Sequence, residues 1–106
     1  MAWIYLCIAG VLEILWAISL KHSDGFSNLR WSLWTVVGMI TSFYFLAQSL
    51  KTIPVGTAYA VWTGIGAAGT AILGIILFSE SAALPRIACI GLILAGIIGL
   101  KLTSSA

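Results

Sequence analysis

The sequence predicts an all-α membrane protein with four transmembrane helices, assembled as an antiparallel, dual-topology homodimer. Of its 106 residues, 61% are hydrophobic and only 8% are charged, whereas a typical soluble domain carries about 25% charged residues. The hydrophobic residues form four continuous runs, each close to the roughly 20 residues that a spanning helix needs. We therefore expect residues 1–106 to form one four-helix domain in a lipid bilayer. The composition argues against a soluble enzyme or a nucleic-acid-binding protein.

Turn and helix-start residues separate the four runs. Asp24-Gly25 is a turn signal after the first run. Pro54 precedes the third run, where its missing N–H is not needed for a helical hydrogen bond. Pro85 opens the fourth run in the same way. The predicted helices cover residues 3–20, 31–50, 55–78 and 85–102.

Basic residues are nearly balanced between the two sides of this topology. Lys51 and Lys101 fall on one side, and Lys21, Arg30 and Arg86 fall on the other. An excess of Lys and Arg in cytoplasmic loops normally sets the orientation of a membrane protein, so two against three fixes it only weakly. We expect the chain to insert both ways up. Two oppositely inserted copies would then supply the inverted repeat between which many transporters place their binding site.

Glu13 is the only acidic residue inside a predicted span, near the middle of the first helix. A charged group at that depth costs at least about 2.5–3.5 kcal/mol, so it normally faces the protein interior or a wet cavity. The alternative is that Glu13 is protonated and only forms hydrogen bonds between helices. We favour a functional carboxyl group, because glutamine would serve the structural role at lower cost.

Two neighbours on the first helix share the face of Glu13. Gly10 and Trp16 lie three residues to either side of it. Gly10 removes side-chain bulk beside the carboxyl group. Trp16 offers an indole N–H and a flat ring that could wall a cation pocket, although a tryptophan alone is more often a packing residue.

Polar and aromatic residues on the second and third helices are further candidates for the same site. Tyr59 and Trp62 lie three residues apart on the third helix. The Tyr59 hydroxyl needs a partner inside a membrane, and Glu13 is the expected one. Ser42 lies midway along the second helix, where it either bonds its own backbone or belongs to the site.

Small residues on the third and fourth helices have two possible roles. Gly64 and Gly66 could form a bend in the third helix or permit close helix packing. Gly91, Ala95 and Gly99 repeat every four residues on the fourth helix. This small-xxx-small pattern is typical of helix association in membranes, so we assign the fourth helix to dimerisation.

One buried carboxyl group in each copy of an antiparallel dimer suggests exchange of ions. The two copies of Glu13 would titrate as a coupled pair, and a cation and protons would compete for them. Mutual exclusion gives antiport if the site opens to one side at a time. No nucleophile–base pair or metal-ligand cluster accompanies Glu13, so neither an enzyme nor a metal or other cofactor is expected.

Three stretches resemble the small multidrug resistance family: residues 10–17 (GVLEILWA), 21–26 (KHSDGF) and 54–66 (PVGTAYAVWTGIG). The resemblance covers essentially the whole chain. Glu13 followed by Trp16-Ala17 is similar to the guanidinium-exporting subtype, whereas the quaternary-ammonium exporters look more like Glu-x-x-Gly-Thr at these positions.

The resemblance implies proton-coupled export of guanidinium-like cations by a dual-topology dimer in the bacterial cytoplasmic membrane. It also implies that Glu13 binds substrate and proton alternately, that the third-helix glycines form a bend and that the fourth helix mediates dimerisation. The residues that it implies for the pocket are Gly10, Trp16, Ser42, Tyr59 and Trp62.

Other functions remain open on the sequence. Met39 and Phe43 on the second helix could line a lateral opening that admits guanidiniums with apolar tails, or they could face lipid. Broad export of quaternary-ammonium and aromatic cations is the first alternative, and Trp16 argues against it by filling space beside Glu13. A small dual-topology ion channel and a non-transporting assembly subunit are two further alternatives.

Overall fold

The computed structural model describes residues 1–103, which form four α-helices as expected. Residues 104–106 lie outside the described range. The helices, in chain order, are α1 (Ala2–His22), α2 (Leu29–Ser49), α3 (Val55–Phe78) and α4 (Leu84–Thr103).

The ends of α1 and α2 differ from the predicted ends by one or two residues, and local hydrogen bonds explain two of the differences. α1 continues to His22 because Ser23 closes it: the Ser23 hydroxyl donates to the Leu20 carbonyl at 2.6 Å and accepts from the Phe26 amide at 3.1 Å. α2 begins before Trp31 because Asn28 caps it, its side-chain oxygen accepting from the Trp31 amide at 3.3 Å. Asparagine is among the preferred N-cap residues.

Helix α1 lies at the centre and packs against both α2 and α3. α1 and α3 run in the same direction, since Gly10 faces Ile65 and Ile14 faces Gly69. The buried core lies near their N-terminal halves and consists of Leu6, Ala9, Ile53, Ala58, Val61 and Trp62.

Helix α4 packs mainly against α3, placing Ile93 and Ile97 over Gly64. Near the C-terminal end of α4, the Lys101 ammonium lies 4.7 Å from the ring centre of Trp3 in α1. The Cα atoms extend over 42 × 34 × 17 Å. The smallest dimension is half of the next one, so the four helices form a flattened bundle.

Three helices are long and apolar enough to cross a membrane: α1, α3 and α4. α2 is as long as α1, with 21 residues, but it is less apolar because it carries several hydroxyl side chains. Those at its buried positions are hydrogen-bonded: Thr35 donates to the Trp31 carbonyl at 2.8 Å and Ser49 to the Leu46 carbonyl at 2.7 Å. The transmembrane placement of α2 stays a prediction.

Candidate functional site

The Glu13 side chain lies between α1 and α3, directly against Gly66. A methyl group built on Gly66 would overlap the carboxyl group and the Cγ atom of Glu13. Gly10, which we expected to clear space beside the carboxyl group, instead faces Ile65. Gly66 is therefore the glycine that makes room for Glu13.

The carboxyl group of Glu13 accepts no hydrogen bond from a side chain within residues 1–103. Its Oε1 atom is buried and has no hydrogen-bond partner within residues 1–103. A buried polar atom without a partner is uncommon in native structures and calls for a ligand, a water or a proton. Glu13 is thus held in place by packing while its polar atoms stay available.

Ser42 and Trp62 form a buried hydrogen-bonded chain beside this region. The indole N–H of Trp62 donates to the Ser42 hydroxyl at 2.9 Å, and the hydroxyl donates to the Ala9 carbonyl at 2.7 Å. A serine hydroxyl has only one proton to donate. In this conformation that proton goes to Ala9, so Ser42 joins three helices and has none left for Glu13.

Tyr59 lies beside Trp62 rather than on Glu13. The ring centres of Tyr59 and Trp62 are 5.5 Å apart, and Phe43 meets the Trp62 ring edge-on at 5.6 Å. Tyr59 is 58% exposed and makes no hydrogen bond to Glu13 within the described chain. The expected Tyr59–Glu13 bond is therefore absent from this conformation.

Trp16 packs between α1 and α2, with its Cβ atom against Gly38. Its indole nitrogen is buried and, among residues 1–103, has no hydrogen-bond partner. Glu13 faces α3 instead, so the two side chains occupy different helix interfaces within one chain.

A cavity of about 480 Å³ leads from Glu13 towards the loop between α3 and α4. This volume lies within the range of about 300–1,000 Å³ typical of small-molecule sites. None of the other five predicted pocket residues lines it. The lining residues from α1 are Glu13, Ala17, Ile18 and Lys21, and those from α3 and beyond are Thr63, Gly66, Ala67, Thr70, Ala71, Gly74, Phe78, Glu80 and Arg86.

Sequence reasoning missed most of this cavity, although a signal was present. Thr63, Ala67, Thr70 and Gly74 are spaced by four, three and four residues, which places them on one face of a helix. That face is small and partly polar in an otherwise apolar helix. Combined with a buried acid on a neighbouring helix, this pattern could have predicted a polar cavity.

The other glycine positions have contrasting surroundings. Gly64 contacts Ile97 and Ile93 of α4, so both Gly64 and Gly66 are points of close helix approach, and α3 is continuous through them. A bend there stays a prediction. On α4, a methyl group at Gly91 or Gly99 would meet no atom within 4 Å, so packing within one chain leaves these positions open.

The described residues contain no group of three or more His, Cys, Asp or Glu side chains that could hold a metal ion. The distinctive features of the site are a half-buried glutamate with one fully buried oxygen, a cavity leading from it and a separate group of aromatic rings.

Comparison with known proteins gives the family. The profile described as "Small Multidrug Resistance protein" matches residues 1–93. A protein of Yersinia pseudotuberculosis called "Guanidinium exporter" is 65% identical over 104 residues, which cover 98% of this chain and all of the relative. Proteins of the same name from Salmonella typhimurium strain LT2 and Citrobacter freundii are 56% and 57% identical, with 98% of this chain and 99% of each relative covered. Together with its apolar helices, these matches identify a multi-pass membrane protein, and the chain belongs to the small multidrug resistance family.

Proposed function

We propose that this protein exports guanidinium, and guanidiniums with small substituents, in exchange for protons. Glu13 would bind the cation and the proton alternately, within an antiparallel homodimer in the bacterial cytoplasmic membrane. The observation that carries the proposal is the buried Oε1 atom of Glu13, which has no partner in residues 1–103 and borders a cavity. The relatives named as guanidinium exporters, at 56–65% identity, support the choice of cation.

The chemistry of the cation suits this carboxyl group. Guanidinium is planar and presents two N–H groups in parallel, which a carboxylate can accept as a fork. Gly66 leaves the carboxyl group room on the α3 side. Because the Glu13 oxygens are not engaged by side chains of the same chain, a bound cation would displace no existing ion pair.

Competition between proton and cation follows from burial. A carboxylate in an apolar environment is costly unless a proton or a cation neutralises it. Glu13 would therefore bind one or the other, and release of the cation would favour uptake of a proton. Coupling to the inward proton gradient would give export of the cation.

A second copy of the chain would complete the site. One chain is a flattened bundle in which Tyr59 is largely exposed and the Gly91–Gly99 face of α4 is open. Pairing would cover these surfaces and bring two Glu13 residues into one assembly. The nearly balanced loop charges support opposite orientations of the two copies.

A broader range of organic cations is the second candidate. Trp16 packs against Gly38, on the α2 side of α1, and does not line the cavity next to Glu13. It therefore leaves that cavity open to larger cations in one chain. Phe43 is 44% exposed beside Trp62, which is consistent with an apolar opening for substituted guanidiniums.

The test is cation-evoked current and lumenal pH change in liposomes containing purified protein. We expect guanidinium to evoke current and proton movement in the wild type and neither in Glu13→Gln. The matched control is Asp24→Asn, which removes an exposed acid in the α1–α2 loop and should transport normally.

The outcomes separate the competing functions. Guanidinium current without proton movement would indicate a channel, and a larger response to tetraethylammonium than to guanidinium would indicate the broader exporter. No response to either cation from folded, dimeric protein would refute transport and favour the assembly subunit.

A further inference from the structure

The outer end of the Glu13 cavity carries its own charged groups. Glu80, in the loop after α3, and Arg86, in the first turn of α4, both line the cavity together with Lys21. Of the charged side chains at this outer end, Glu80 alone is negative. A cation that moved through the cavity would pass two positive groups and this one carboxylate.

Unpartnered polar atoms mark the whole length of the cavity. Within residues 1–103, four buried side-chain polar atoms have no hydrogen-bond partner, and three of them belong to cavity-lining residues. These are Glu13 Oε1 at the inner end, Thr70 Oγ1 midway and Arg86 Nε at the outer end. Such a series is expected of a passage that holds water, because buried polar groups otherwise find partners.

The backbone after α3 folds Glu80 back over the helix end. Ser79 adopts a left-handed conformation with φ of 54°, and the Glu80 amide donates to the Gly74 carbonyl at 3.2 Å. A side chain at Gly74 would collide with the Glu80 carboxylate. The carboxylate is thus placed at the C-terminal end of α3, where the helix dipole is negative and a cation is favoured.

Arg86 supplies that cation, but the pairing is weakly held. One bond joins Arg86 Nη2 to Glu80 Oε1 at 2.8 Å, and the side chains are 38% and 45% exposed. The buried Nε atom takes no part, so the two-point fork that strengthens such pairs is absent. Arg86 also lies in the first turn of α4, where the helix dipole disfavours a positive charge. Exposed ion pairs of this kind contribute little and exchange readily.

The group that Glu80 binds is itself a guanidinium. We propose that Glu80 is an outer docking carboxylate for the guanidinium cation on its way between Glu13 and the aqueous phase. Arg86 is then a tethered competitor that occupies Glu80 until the free cation displaces it. This inference rests on the proposed function, since it assigns a second step to the same route.

The proposal and a purely structural ion pair predict opposite patterns in mutants. If the pair only braces the loop, Glu80→Gln and Arg86→Gln break the same bond and act in the same direction. If Glu80 docks the cation, Glu80→Gln raises KM whereas Arg86→Gln lowers it. Each change should be about two- to fivefold, the range that an exposed ion pair supplies, with little change in maximal rate. In the double variant, Arg86→Gln should no longer lower KM, because the Glu80 carboxylate for which Arg86 and the free cation compete is gone.

The transport experiment measures guanidinium KM and maximal rate in liposomes for these three variants. Asp24→Asn and Arg30→Gln are the controls, because they make the same charge changes outside the cavity, in the α1–α2 loop and in the first turn of α2. KM changes in the same direction for both single variants, or an Arg86→Gln effect that persists in the Glu80→Gln background, would overturn the proposal.

A second measurement does not depend on transport. The chain contains only two arginines, Arg30 and Arg86, so their side-chain Nε–H resonances can be assigned with one variant. Guanidinium chloride should shift the Arg86 resonance but not that of Arg30, in the wild type and in Glu13→Gln alike, whereas equal sodium chloride should not.

An Arg86 resonance that guanidinium leaves unmoved would overturn the outer docking site, whatever the transport result. If the wild-type protein does not transport guanidinium but guanidinium still shifts the Arg86 resonance, the proposed function is wrong and the docking site at Glu80 stands.

Discussion

The contact between Glu13 and Gly66 can be tested with a single methyl group. In Gly66→Ala, the new Cβ atom would collide with the carboxyl group and Cγ of Glu13. The overlap involves more than the tip of the side chain, so Glu13 must change its side-chain conformation. We expect guanidinium transport to fall at least about tenfold, which corresponds to a loss of about 1.4 kcal/mol of binding free energy between Glu13 and the cation.

The stability of the same variant should change much less than its activity. Replacing glycine by alanine inside a helix stabilises it by about 1 kcal/mol, whereas forcing extra volume into a packed region costs about 1–3 kcal/mol. The net change in the free energy of unfolding therefore ranges from about zero to a loss of about 2 kcal/mol. A folded protein with strongly reduced transport is the expected result.

The control lies in the same helix. A methyl group at Gly56 would meet no atom within 4 Å, so Gly56→Ala should keep full transport. Transport activity would be measured in liposomes and stability by thermal unfolding in detergent. Transport by Gly66→Ala at the wild-type KM and rate would refute the placement of Glu13 against Gly66.

Three further predictions address the hydrogen-bonded chain, the dimer and its topology. Ser42→Ala leaves the buried Trp62 indole N–H unpaired and removes one of the hydrogen bonds to the Ala9 carbonyl. Unfolding free energy should fall by about 1–3 kcal/mol, the cost of one unpaired buried group, and equal stability of wild type and variant in a denaturation series would contradict the bonds. Gly91→Leu with Gly99→Leu should leave each chain folded, because both positions are open, but reduce dimer yield in chemical cross-linking; unchanged cross-linking would remove α4 from the interface. Reporter fusions at the C-terminus should be active on both sides of the membrane, and a signal from one side only would exclude dual topology.

The four helices could be predicted from the sequence because each one depends on a local pattern of residues. Long apolar runs between turn residues predicted four helices, and the structure has four. The start of α2 was missed because the Asn28 side chain extends the helix beyond its apolar run. The depth of Glu13 within a helix could also be predicted, since it follows from counting residues along that helix.

The neighbours of Glu13 could not be predicted in the same way. Periodicity gives the face of a helix but not its register against another helix. Tyr59 lies seven residues before Gly66, about 10 Å along the same helix. The register between α1 and α3 decides which of the two Glu13 meets, and in the structure it is Gly66. The position of Glu80 depends on a left-handed Ser79, and serine carries no strong signal for that conformation.

The position of the cavity's outer end, at the loop between α3 and α4, has a consequence for how such a protein can evolve. In the proposed antiparallel pair, one gene specifies both the inward-facing and the outward-facing mouth, because the same Glu80–Arg86 loop lies on opposite surfaces in the two copies. A substitution in this loop that makes cation binding easier on the cytoplasmic side therefore also changes cation release on the opposite side. Independent adjustment of the two would require gene duplication, after which each copy could keep one orientation and diverge.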